Sequence, residues 1–125
     1  LILSFMADFD LKLRTRKFAV QVFKFAEKIP RSIGNDIVSK QIIRSSSSIA
    51  ANYRSVNRAK SQADFINKLV IVQEETDETL FWLEFISDLE ILKNNTELTS
   101  LSNECEQILS IITKSIITSK NKLKK

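Results

Sequence analysis

Two carboxylates one helical turn apart, Glu75 and Glu78, are the residues of this chain best spaced for chemistry. Three residues apart, they share one face of a helix and could act as a general acid/base pair or as half of a carboxylate metal site. The chain contains no histidine. That removes Ser-His-Asp and Cys-His nucleophile systems, imidazole-based zinc sites and the Glu-x-x-His pairs of di-metal helical bundles. One glycine cannot build a phosphate-cradling loop. Cys105, the single cysteine, has no disulfide partner within the chain and no base to activate it, so it reads as a small core residue in a reducing, cytoplasmic setting. The commoner role for Glu75 and Glu78 is ion pairing with a basic helix or a neighbouring subunit. No cofactor or metal is expected, and the chain is read as not an enzyme; a carboxylate-dependent enzyme stands as the third reading.

The second group is cationic. Residues 1–60 carry twelve Lys/Arg against four Asp/Glu, residues 61–110 two against eleven, and residues 111–125 five against none. A basic first half suits a polyanion partner. Arg14, Arg16, Lys17, Lys24, Arg54, Arg58 and Lys60 are the candidate nucleic-acid contacts. Without base-reading residues beside them, binding would be salt-sensitive and weakly specific. The same segregation also suits basic and acidic segments that face each other within one bundle or across a subunit interface.

Those residues need helices to position them. Glycine and proline occur once each in 125 residues, which leaves few turns and favours long helices in one domain. Helix 1 is expected over about Asp10–Lys28, with Asp8 or Asp10 as cap and Phe18, Val22, Phe25 and Ile29 as its apolar stripe. Pro30 ends it. Gly34 is assigned a positive-φ turn position, and Ser32 or Asn35 caps helix 2, Asp36–Asn57. Ser61 and Asp64 form a capping pattern before helix 3, Gln62–Lys93. Asn94-Asn95-Thr96 breaks the pattern, and helix 4 runs over Thr96–Ser119. Residues 1–9 and 120–125 are expected to be flexible ends, and Met6 is read as the natural initiator with residues 1–5 upstream of it. No apolar run approaches the roughly 18 residues of a membrane span. Four helices with short connections give an all-α, up-down-up-down bundle.

The stretch Gln41–Arg54 holds four consecutive serines, a poor isolated helix that tertiary packing must support. Val38, Ile42, Ser45, Ile49, Asn52 and Val56 fall at heptad spacing, so Ser45, Ser48 and Asn52 are expected to be at least partly buried. Asn52 then needs partners and would fix register. Arg44 is expected to pair with Glu75 or Glu78. Gln41, Arg44, Ser45, Ser48, Asn52, Glu75 and Glu78 together form the expected structural seam.

The block Gln41-Ile-Ile-Arg44-Ser45-Ser-Ser-Ser48-Ile49-Ala-Ala51-Asn52-Tyr53 resembles the signature of a bacterial family. So do Ser61-x-x-Asp64-Phe65-x-x-Lys68-Leu69 and Glu75-x-x-Glu78-Thr79-x-x-Trp82-Leu83, in the right order and spacing, with Pro30 before helix 2. The family is the four-helix-bundle proteins first noted as products of intervening sequences in bacterial 23S rRNA genes. The resemblance covers about residues 10–92; helix 4 agrees by pattern only. Ser55 and Glu74 depart from it, standing where an acidic residue and a lysine are expected. The resemblance implies a left-handed bundle and a homo-oligomer, with relatives resembling pentameric rings. It also implies kinship with accessory proteins of retroelement reverse transcriptases that bind nucleic acid through a basic surface. The function expected on these grounds is a non-enzymatic, homo-oligomeric, pentameric bundle of the cytoplasm that binds RNA, DNA or a nucleic-acid-associated protein, such as a reverse transcriptase, through basic helices 1 and 2. The alternative is a protein-interaction adaptor that touches no nucleic acid.

Overall fold

Chain chemistry sets the four helices and their ends. The computed structural model describes residues 2–124, with side chains described from Asp10 onward. The helices are α1 (Ile2–Ala26), α2 (Ile33–Val56), α3 (Gln62–Leu89) and α4 (Thr96–Lys124). Each packs against its chain neighbours, and α1 also meets α4, so α1 and α3 stand diagonally across the bundle. Cross-helix bonds fix the antiparallel sense: Arg14 reaches Glu104 and Lys28 reaches Glu97 between α1 and α4, while Gln62 and Gln73 of α3 reach Ser119 and Thr113 of α4. The architecture is therefore an all-α, up-down-up-down four-helix bundle.

The ends differ from the expected boundaries for local reasons. α1 begins at Ile2, not Asp10, so Asp8 and Asp10 lie inside the helix and do not cap it. No glycine or proline interrupts residues 2–26, and nothing in that stretch stops the helix. The expected flexible ends meet helix from Ile2 and helix through Lys124; residues 1 and 125 lie outside the described residues. Before Pro30, two tight three-residue bonds, Lys28 N–H to the Phe25 carbonyl and Ile29 N–H to the Ala26 carbonyl, close the last turn.

Ser32 caps α2: its hydroxyl accepts from the Asn35 N–H at 3.0 Å, and Asn35 Nδ2 donates back to the Pro30 carbonyl. Gly34 sits in the first turn of α2 with negative φ, so the positive-φ assignment is corrected. Ser61 caps α3 in the same way, its hydroxyl accepting from the Asp64 N–H, and the Asp64 carboxylate in turn accepts from the Lys60 N–H. α3 stops at Leu89, four residues short of Lys93, because Glu90 adopts a left-handed conformation, φ 53°.

The core is mainly aliphatic, with Phe18, Phe25 and Tyr53 as its buried aromatics. Phe18, Val22, Phe25, Ile42, Ile49, Val72, Leu83, Ile86, Ile108 and Ile112 are fully or almost fully buried, on the expected stripes. Several small polar side chains sit among them. Thr15, Ser45, Thr76 and Thr79 are fully buried, and no buried side-chain nitrogen or oxygen among the described residues lacks a partner. Their hydroxyls return to the backbone one turn earlier: Thr15 to Leu11 at 2.7 Å, Thr76 to Val72 at 2.7 Å.

Candidate functional site

The seam holds α2 to α3. Thr79 Oγ1 donates to Ser45 Oγ at 2.8 Å, and Ser45 donates on to the Ile42 carbonyl. The bond joins two fully buried side chains of facing helices, and it selects one register. Ser48 and Asn52 are half-buried, and Asn52 Nδ2 donates to the Ser48 carbonyl at 2.8 Å. At the seam's outer edge Arg44 spans Glu75 and Glu78, and Gln41 Oε1 accepts from Arg44 Nε. Trp82 Nε1 donates to the same Glu78. The carboxylates hold the Arg44 guanidinium above its ordinary pKa, chiefly through the Glu78 hydrogen bond. Glu75 and Glu78 thus face a cation and an indole, and no group of three His, Cys, Asp or Glu among the described residues is arranged for a metal. Cys105 is fully buried, donates to the Thr76 carbonyl, and burial pushes its thiol up to about 12.

The seven candidate cations separate. Arg14 turns to α4, where Nε and Nη2 grip both Glu104 oxygens at 2.8 and 2.7 Å and Nη2 also reaches Gln107. That hydrogen bonding raises its pKa. Arg16, Arg54 and Arg58 instead gather at a groove of ≈ 670 Å³ between the outer faces of α1 and α2. Lys17 and Lys24 lie seven residues apart on the outer face of α1, outside that groove, and Lys60 stands in the α2–α3 turn. Among the described residues these last six form no ion pair.

Sequence reading missed the groove's floor. Leu13, Ala19, Val20 and Phe23 come from α1, and Ile43, Ser47, Ala50 and Ala51 from α2. Val20 and Phe23 are 48% and 49% exposed. A second apolar surface lies on the outer face of α3, where Phe81 and Phe85 are 52% and 38% exposed and meet Trp82 edge-on, with centroids 5.0 and 5.5 Å from it. Around Phe81 stand Glu74, Asp77, Glu78, Glu84 and Asp88, all one or two helical turns away. The available signal was position: these four apolar residues fall off the stripes that bury Phe18, Val22, Leu83 and Ile86.

A four-helix chain with this Gln41–Tyr53 seam and this Glu75–Leu83 block matches the family model of 23S rRNA-intervening sequence protein over residues 7–114. The chain belongs to that family. Its match therefore extends beyond the blocks quoted from sequence into α4. A solved structure shares the fold and 34% sequence identity: a protein of unknown function from the S23 ribosomal protein family of Bacteroides thetaiotaomicron. The alignment covers 87% of this chain and 96% of that one, with a TM-score of 0.78. No curated protein matches the chain. Among the described residues, no helix is long and apolar enough to cross a membrane.

Proposed function

We propose that this member of the 23S rRNA-intervening sequence family is a non-enzymatic, homo-oligomeric scaffold of the cytoplasm, pentameric as its resemblance implies. On this reading its basic α1–α2 surface holds RNA, DNA or a nucleic-acid-associated protein. The observation that carries the reading is one small bundle bearing two apolar surfaces of opposite charge, the arginine-rimmed groove and the carboxylate-flanked Phe81–Phe85 surface. Phenylalanines half in water favour burial against another surface. Lys17, Lys24 and Lys60, outside the groove, supply an unpaired cationic surface for phosphates.

Size-exclusion chromatography with light scattering tests the assembly. A particle of several chains supports it, and a strict monomer at tens of micromolar overturns it. Fluorescence anisotropy with structured RNA and DNA across a salt series tests the polyanion. Affinity that falls steeply with salt supports contact with phosphates. Binding that is absent at low salt, or indifferent to salt, favours the second reading, a protein-interaction adaptor. One observation supports the adaptor: the groove floor of Ala19, Ala50, Ala51 and Phe23 suits the apolar side of a helix better than a phosphate chain.

A further inference from the structure

We infer that the groove between α1 and α2 of one copy receives the Phe81–Phe85 ridge of α3 from a second copy, in a head-to-tail contact. This rests on the homo-oligomer reading and names the surfaces it uses. Within one chain the two surfaces are separate: no residue of α3 lines the groove, and α3 does not pack against α1. They complement each other in shape: the groove floor is lined with alanine and serine at Ala19, Ser47, Ala50 and Ala51, which leaves room for a phenyl ring, and Phe81 and Phe85 project from the ridge one turn apart.

They also complement each other in charge. Arg16 of α1, Arg54 of α2 and Arg58 of the turn after α2 rim the groove, while carboxylates lie at three, four and seven residues from Phe81. Two grooves or two ridges would set like charges against each other, which disfavours a two-fold contact of a surface with itself. Groove against ridge is a heterologous contact, and such contacts build rings when the rotation closes. The three groove arginines are then covered in the assembly, and Lys17 and Lys24 remain on its outside.

The test exploits the head-to-tail geometry. One variant, Arg54→Glu with Arg58→Glu, loses the groove and keeps the ridge. The other, Phe81→Ser with Phe85→Ser, loses the ridge and keeps the groove. All four positions are exposed, and far-UV circular dichroism checks that the helices persist. Each variant alone should run with the mass of one chain, and an equimolar mixture should give a one-to-one heterodimer and nothing larger, because only one productive junction remains. Lys17→Glu with Lys24→Glu, outside the groove, should assemble like the wild type. Variants that keep the wild-type oligomer, or monomeric variants that do not pair on mixing, overturn the contact while leaving the homo-oligomer standing. A groove variant that loses RNA or partner binding without changing mass assigns the groove to that ligand and also overturns it. A monomeric wild type instead defeats the underlying reading.

Discussion

The four-serine run of α2 has an inner and an outer side, and the two behave differently. Inside, Ser45 is fully buried, bonded to Thr79 and fixes how α2 sits on α3. Two residues on, Ser47 is exposed, bonds only the Arg44 carbonyl within its own helix, and lines the groove. One residue type therefore does opposite things. A small hydroxyl against a neighbouring helix bonds to it and is buried, whereas the same hydroxyl on an unpartnered face leaves a hollow. The difference is set by helical phase, about 200° between residues two apart, and not by side-chain chemistry.

The largest expected effect breaks the inner side. Ser45→Leu puts a larger side chain into a fully buried position between α2 and α3 and removes the Ser45–Thr79 hydrogen bond, at a cost of about 3 kcal/mol in urea denaturation. A loss under 1 kcal/mol would mean the seam is loose. Next, Thr79→Val removes the hydroxyl but keeps the shape, and should cost about 1 kcal/mol. A double-mutant cycle with Ser45→Ala should show that the two losses are not additive. Arg44→Ala acts at the half-exposed edge of the seam; about 0.5 kcal/mol is expected, shrinking as salt is added. The smallest effect sharpens the contrast: Ser47→Leu should leave stability within about 0.5 kcal/mol of wild type, since it fills only solvent-facing space. If Ser47→Leu destabilised the fold as much as Ser45→Leu, the distinction between the two sides would be lost.

Much of the fold was readable because burial follows a simple period. Phe18, Val22, Phe25 and Ile29 share one face, and Ser45 could be placed inside because Ile42 and Ile49 flank it at heptad spacing. The Ser32 and Ser61 caps were readable because their bonds are local. Arg44's position one turn from the seam also pointed to Glu75 and Glu78, since opposite charges at one level of adjacent helices find each other. The groove and the ridge were not legible. Phe23 and Phe81 fall off the buried stripes, but hydrophobicity alone would still place them in a widened core, and the packed helices show that the core is full without them. Thr15 was overlooked for the converse reason: a threonine looks polar in a sequence, yet its hydroxyl is satisfied by the Leu11 carbonyl and its methyl joins the core. The start of α1 was missed because its first turn carries no capping signal.

Glycine is misplaced in this chain in a way that leaves thermal stability unclaimed. The single glycine, Gly34, lies in a helix, where a Cβ would meet nothing within 4 Å. Among the described residues, the one in left-handed geometry is Glu90, at the end of α3. Gly34→Ala would restrict the unfolded chain, and Glu90→Gly would relieve a strained backbone, each adding roughly 0.5–1 kcal/mol. Differential scanning calorimetry should show each raising the melting temperature by a few degrees. The bundle therefore has stability in reserve near its connections, where heat tolerance can be engineered without touching the groove or the Phe81–Phe85 ridge.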